Sequence, residues 1–397
     1  MAINTALIDA NRPPPRARDV PGHVSPGLWT LAWRRLRRDN VGMVSLAIVA
    51  AFIVLMILSG TGLIAKDWAR EVGVNYAPPT FAGADETTQR EAQLTTTSGP
   101  TLATDFESTV VDPIGDVIAQ LKGGSAAAPA SPQSSAASST VDPLADVMAD
   151  IQKNRSAAAP VEPEQRATTL PFGGDKWGRD VLKKTIKGSE TSIFVGLAAA
   201  FVATFIGTLL GALAGYHGRW VDDVLNWFYS VFSSIPYLLL ILAVAAVLQQ
   251  KGMLTIILIL GLTGWTGVFR LIRAEYLKHK GREYVQAADA IGASSHRKMF
   301  VHIFPNVSHV VLVQLSILVV AFIKSEVILS FLGFGVPVDV VSWGSMLNEA
   351  QNELILGKWW QLVATVIAMA FLVTAFSLFT DALRDALDPK LKGLKGH

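Results

Sequence analysis

Six apolar runs, each close to the length that crosses a bilayer, limit what this chain can fold into. They are Val41–Leu58, Ile193–Ala214, Ser230–Leu248, Met253–Ile272, Val307–Leu332 and Trp359–Thr380. A helix needs about 20 apolar residues to span the hydrocarbon core, so the runs read as six helices of an all-α membrane protein. Composition supports this: 17% of residues are charged, against about 25% in a soluble domain. The net charge of +2 gives no reason to expect nucleic acid. With no cysteine, disulfides, thiolate metal sites and cysteine nucleophiles are excluded.

Charge sets the expected topology. Arg34, Arg35, Arg37 and Arg38 stand immediately before the first run, and Lys and Arg concentrate on the cytoplasmic side. Residues 1–40, with Pro13, Pro14 and Pro15 in a row, therefore read as a cytoplasmic tail, and residues 41–59 as the first span. A cleaved signal peptide fits poorly, because the tail is long and no small-x-small site follows at Ser59–Thr61. Residues 60–188 form an acid-biased loop expected outside. Its part from about 81 to 169 is an insert whose centre, GGSAAAPASPQSSAASS, cannot bury enough apolar surface to fold. VDPIGDVI at 111–118 recurs as VDPLADVM at 141–148. Each copy has the pattern of a short amphipathic helix, either a plain duplication or a partner-docking pair. Residues 189–380 hold the remaining spans, and 381–397 form a second cytoplasmic tail containing Lys390, Lys392 and Lys395. The loop between the second and third spans is indecisive, since His217 and Arg219 face Asp222 and Asp223.

The loop at 273–306 carries the strongest functional signal. Its stretch Arg282–Asn306, REYVQAADAIGASSHRKMFVHIFPN, is basic and has small residues at Ala287, Ala288, Ala290, Gly292 and Ala293. Small side chains let another surface approach the backbone, while Ile291, Met299, Phe300, Ile303 and Phe304 are expected to anchor the stretch to its own chain. On composition it is either a docking element or an interfacial connector. A transporter needs an energy source, yet no G-x-x-x-x-G-K-[ST] occurs. Gly357-Lys358 runs into Trp359 and cannot make a phosphate loop. No H-E-x-x-H or G-x-S-x-G is present either. The chain reads as a non-enzyme without cofactor or metal, whose ATP hydrolysis falls to another polypeptide.

Two further groups stand out. Gly207, Gly211 and Gly215 repeat at four-residue spacing on one helix face, suited to close packing within the chain or to dimerisation. Ionisable residues inside spans are costly and functional by default. Lys324 and Glu326 lie in the fifth span, too close in sequence to face each other, with Gln314 on its inner half. They are candidates for the translocation path, with Glu326 alternatively a strut to a neighbouring helix.

These residues together resemble the permease subunits of ATP-binding-cassette importers of the dipeptide, oligopeptide and nickel type, in particular the C-type member of the permease pair. Gln286-Ala287-Ala288 with Gly292 and Pro305 is similar to the family's EAA loop, with Gln286 where Glu is usual. Phe172–Val181, FGGDKWGRDV, is similar to the G-T-D-x-x-G-R-D-V segment, with Gly174 in place of Thr. LSFLGFG at 329–335, SWGSML at 342–347 and DALRDALDP at 381–389 match the end of the family pattern. The resemblance covers 34–64 and 170–391 and leaves the insert without a counterpart.

It implies a type I importer fold with six transmembrane helices and both termini cytoplasmic. The implied partners are a paralogous B-type permease subunit forming a heterodimer, two cytoplasmic ATPase subunits, a periplasmic substrate-binding protein and membrane lipid. The EAA-like loop would dock on the ATPase through Gln286, Ala287, Ala288, Gly292, Ala293 and Pro305. The expected function is an inner-membrane permease for short peptides or similar solutes in a bacterial cell, with nickel, opines or other cargoes also compatible. The rivals are a proton-coupled secondary transporter with Glu326 and Lys324 as relay, and a membrane-anchored interaction protein acting through its periplasmic insert.

Overall fold

The computed structural model describes residues 28–84, 89 and 166–387. The repeat at 111–118 and 141–148 lies outside the described residues. Regular structure among the described residues is helical, with only isolated bridges for β pairing. In chain order the helices are α1 (Leu28–Leu36), α2 (Asn40–Gly60), α3 (Val181–His217), α4 (Arg219–Ser233), α5 (Tyr237–Leu248), α6 (Met253–Thr263), α7 (Thr266–Lys280), α8 (Glu283–Ala290), α9 (Ser295–Phe331), α10 (Trp343–Ile355) and α11 (Trp360–Leu387). Four of them, α2, α3, α9 and α11, are long and apolar enough to cross a membrane. Counting each bent pair, α4 with α5 and α6 with α7, as one span gives up to six.

The broken pairs correct two expected boundaries. The third run, Ser230–Leu248, is not one helix: α4 and α5 meet at 86°. Pro236 sits at the corner, where it cannot donate a backbone hydrogen bond and pushes Ile235 out of the helical region. Ser230–Ser233 therefore finish α4, and the 12 residues of α5, about 18 Å of helix, are too short to cross alone. The fourth run, Met253–Ile272, breaks at Gly264 and Trp265 with a 41° bend, and α7 carries on past it to Lys280.

α3 starts earlier than its apolar run. Asp180 caps it by accepting from the amides of Leu182 and Lys183. Residues 181–188, expected in the polar loop, thus form its first two turns. At 37 residues it is about 55 Å long against a core of about 30 Å, so it protrudes. Helices α2, α6, α7 and α9 pack around it. A core of Ile193, Ala199, Leu260, Phe322, Ile323 and Trp343 fills one half of the bundle, and a second of Ala212, Ile272, Tyr276, Met299 and Ile303 the other.

The glycine face resolves to packing within the chain. A Cβ on Gly207 would stand 2.7 Å from the Trp265 carbonyl oxygen, one on Gly211 2.7 Å from that of Phe269, and one on Gly215 2.6 Å from that of Arg273. All three obstacles are backbone at or on α7, so hydrogen is the side chain that lets the two helices meet. Two bonds from Arg273 to Asp222, at 2.5 and 2.6 Å, tie α4 to the same helix. Asp222 is thereby spoken for, which is why the charge balance of that loop was uninformative.

Beyond the protruding end of α3, residues 60–84 and 166–180 form a small cap. Bridges pair Gly73 with Ala167, Pro79 with Leu170 and Glu71 with Arg179, and Val74, Ala77 and Leu170 are buried between them. The insert boundary expected at 169 falls inside this pairing, because Ala167 and Leu170 already belong to the cap.

Candidate functional site

At the α7 end of the bundle, α8 lies across the tip. Val285 points inward among Tyr276, Met299, Ile303 and Val307, and Ala288 is buried on the same side, 4% exposed each. The Tyr276 hydroxyl donates to the Met299 carbonyl at 3.2 Å. This leaves Gln286 and Ala287 outward and exposed, and the nearest bond of the Gln286 amide is a long one of 3.5 Å to the Gly281 carbonyl. After α8 the chain reverses at Gly292, whose φ of +79° suits glycine, and the Ala293 amide closes the turn on the Ala288 carbonyl. No atom lies within 4 Å of where a Gly292 Cβ would be.

Ile291 corrects one expectation. It is 82% exposed, because the turn at Gly292 rotates it off the face that Val285 and Ala288 bury. Met299 and Ile303 anchor the stretch instead, at 2% and 0% exposure. Pro305 is exposed in the first turn after Lys298–Ile303, which form a π-helical stretch of α9. A proline offers no N–H and its ring crowds the carbonyl four residues earlier, and a widened turn relieves both problems.

The three in-span candidates are not brought together. Glu326 is fully buried, and one of its oxygens accepts from the Ser330 hydroxyl at 2.7 Å, while the other has no protein partner. Lys324 is exposed and turned away from it, and Gln314 is half-buried two to three turns earlier.

A polar cluster that sequence reasoning missed sits where the cap meets α3, α10 and α11. Lys184, 1% exposed, reaches Asp175 and Glu349 at 2.6 Å each, and Gln361 at 3.4 Å. Gln361 also donates to Glu349 at 3.3 Å and to the Met346 carbonyl at 3.1 Å. Glu353, one turn after Glu349 on α10, is 1% exposed, and neither carboxylate oxygen has a hydrogen-bond partner. Burial pushes its pKa up to about 7, opposed by Lys184 and more weakly by the Lys176 backbone amide, with Asp175 and Glu349 adding to the rise. Burial, with the Glu353 and Asp175 carboxylates adding to it, raises the Tyr76 hydroxyl. Two tryptophans complete the joint: Trp343 donates to the Thr185 carbonyl at 3.1 Å and Trp360 to that of Gly174 at 2.7 Å. The i,i+4 spacing of Glu349 and Glu353 was a visible signal, as was Lys184 beside an apolar run. Neither showed that the partners converge. Among the described residues no cluster of His, Asp and Glu has the makings of a metal site.

Two family models match parts of this chain. Residues 207–393 match the family model of the binding-protein-dependent transport system inner membrane component, and residues 27–79 that of the N-terminal TM domain of oligopeptide transport permease C. The dipeptide transport system permease protein DppC of Bacillus subtilis is 38% identical over 221 residues, 56% of this chain and 69% of its own. The oligopeptide transport system permease protein OppC of the same organism is 36% identical, with 72% of its length covered. OppC of Escherichia coli K12 is 37% identical over 219 residues, again with 72% covered. A chain with these matches, this helical architecture and several membrane-crossing helices belongs to the binding-protein-dependent transport system inner membrane components, as a multi-pass permease of the oligopeptide permease C type.

Proposed function

We propose that this chain is one permease subunit of an ATP-driven importer for short peptides or similar small solutes, and that it couples closure of separate ATPase subunits to alternating access through the 273–306 loop. The observation that carries this reading is the two-sidedness of α8. Val285 and Ala288 are fixed to the bundle while Gln286, Ala287 and Gly292 stand free at its tip. Motion imposed on that exposed face would pass directly to α7 and α9, and α7 is locked to α3 along the glycine seam. The arginines before α2 and the basic residues around α8 support an assignment of this tip, and of both termini, to the cytoplasm. The cap then faces the periplasm, where a substrate-binding protein would deliver cargo. The B-type permease partner follows from the family pairing, and the peptide cargo from the names of the relatives. With Gln286 in place of a carboxylate, docking at that position relies on neutral hydrogen bonding.

Co-purification tests the docking claim. Gly292→Arg is expected to insert normally and lose its ATPase subunits, and recovery of those subunits in full yield would sink it. The proton-coupled rival predicts uptake without an ATPase partner, which the separation of Lys324 from Glu326 does not favour. The rival acting through the insert predicts loss of function when residues 85–165 are replaced by a short flexible linker. We expect uptake to survive that replacement, because the cut lies beyond the cap pairing of Gly73 with Ala167.

A further inference from the structure

We propose that Lys184 and Glu353 form a proton-sensitive latch between the cap and the bundle, closed when Glu353 is protonated and loosened when it is charged. Among the described residues, Lys184 is the cation bonded within a joint that also holds Asp175, Glu349 and Glu353. Its ammonium already has Asp175 from the cap at 2.6 Å, Glu349 from α10 at 2.6 Å and Gln361 from α11 at 3.4 Å. It therefore spans four separate segments, and nothing of it is left for Glu353. A carboxylate that is 1% exposed, with no side-chain partner and only the Lys176 backbone amide directed at it from the cap, is tolerable in its neutral form and costly when ionised. Tyr76 is a further titratable group facing it from the cap, its hydroxyl raised by burial and by the charges of Glu353 and Asp175. A second negative charge arriving on α10, one turn from Glu349 and opposed to Asp175, pushes α10 from the cap. The elements so separated are the cap and the segment joining α9 to α11, whose parting would change access to the bundle from that side. The group's raised pKa puts the transition near neutrality. Lys184 and Glu353 act here as positioning residues.

The absence of cysteine allows clean spin labelling of the full chain in lipid nanodiscs, at Asn75→Cys in the cap and Asn352→Cys on α10, both exposed. Pulsed electron resonance should give one narrow distance distribution at about pH 5. At about pH 9, two units beyond the expected midpoint, a longer second population should be at least roughly ten-fold enriched, the effect of one pKa unit of coupling. Glu353→Gln should keep the narrow distribution at both values. Lys184→Met should show the longer population at both, and Lys184→Arg should restore the pH step. A wild-type distribution unchanged by pH, or a step that survives in Glu353→Gln with the same midpoint, overturns the proposal. Should Glu353→Gln fail to insert, Glu349→Gln decides the matter. Removing that like charge should move the wild-type midpoint to lower pH, and an unmoved midpoint overturns the latch. That the latch senses the periplasm rests on the topology proposed above. Nanodiscs are open on both faces, so the resonance result stands apart from it, and labelling of Asn75→Cys from outside intact cells tests the topology separately.

Discussion

The two aqueous ends of the bundle handle polar groups in opposite ways. At the tip carrying α8, the chain leaves them outward: Gln286 has one long bond, Gly292 has empty space beside it, and the stretch is held by apolar burial of Val285, Ala288, Met299 and Ile303. At the cap, charges are drawn inward until Asp175, Lys184, Glu353 and Gln361 are each no more than 1% exposed. A surface left unsatisfied costs nothing in water and is ready for a partner. A buried charge is costly unless paired, so an end built on one is closed upon itself and sensitive to whatever changes the pairing. On the two proposals above, the contrast is between an end that would receive another protein and an end that would regulate its own joint.

The sharpest way to break that contrast is at Lys184. Replacing it by Met leaves Asp175 and Glu349 without their cation, and removing one partner of a buried pair costs about 4 kcal/mol. The neighbouring Lys183 bonds Asp67 at 2.7 Å, but the side chains are 37% and 53% exposed, and Lys183→Met should cost roughly 0.5 kcal/mol after solvent screening. Thermal unfolding of both variants in the same lipid should show the large loss only at 184. Equal losses would erase the distinction between the ends.

Next in size is the glycine seam between α3 and α7. Gly211→Leu puts a side chain where the Cβ alone would stand 2.7 Å from the Phe269 carbonyl oxygen and 3.1 Å from the Arg273 amide nitrogen. Neither atom can rotate away, so α3 and α7 must part, at about 3 kcal/mol. A variant with unchanged melting behaviour would mean that the helices are not in this contact.

The charge state of Glu353 gives a pH prediction of similar or smaller size. Its folded value of about 7 lies above the ordinary 4.5, so the folded chain holds the proton more tightly than the unfolded one. Stability should then fall as pH rises from about 4.5 through about 7 and level off above, by at most about 3 kcal/mol. Glu353→Gln should flatten that slope. Unfolding midpoints of the two proteins across this range check it.

Much of this architecture was legible from residue patterns, and the failures have specific causes. The first apolar run and α2 agree to within two residues at either end, since an uninterrupted run bounded by Asp39 leaves one solution. The third run misled because hydropathy does not register direction: Val231 and Phe232 extend the apolar signal of Tyr237–Leu248 back across Pro236, where two helices meet at 86°. The loop's anchors were readable except Ile291, whose exposure depends on the φ of Gly292. The cap cluster was not legible as a unit because its members come from positions 175, 184, 349, 353 and 361, and apart from the i,i+4 pair Glu349 and Glu353 no local period links them. Lys184 looked like loop charge until the end of α3 was seen to protrude from the bundle.

The smallest effect on stability should accompany the largest effect on assembly. Gly292 occupies a left-handed turn with nothing within 4 Å of its missing Cβ. Any side chain there meets only backbone strain of about 1 kcal/mol, and Gly292→Ala and Gly292→Arg should melt nearly alike. They should differ in association. Alanine adds one methyl to the exposed face of the tip, whereas arginine adds a long cation across the surface through which Ala287 and Gln286 are reached. Pull-down of the ATPase subunits should therefore be nearly normal for alanine and lost for arginine. If both variants retained the subunits, the tip would be a connector like any other loop, and the cap would remain as the one end of this molecule with a function written into its geometry.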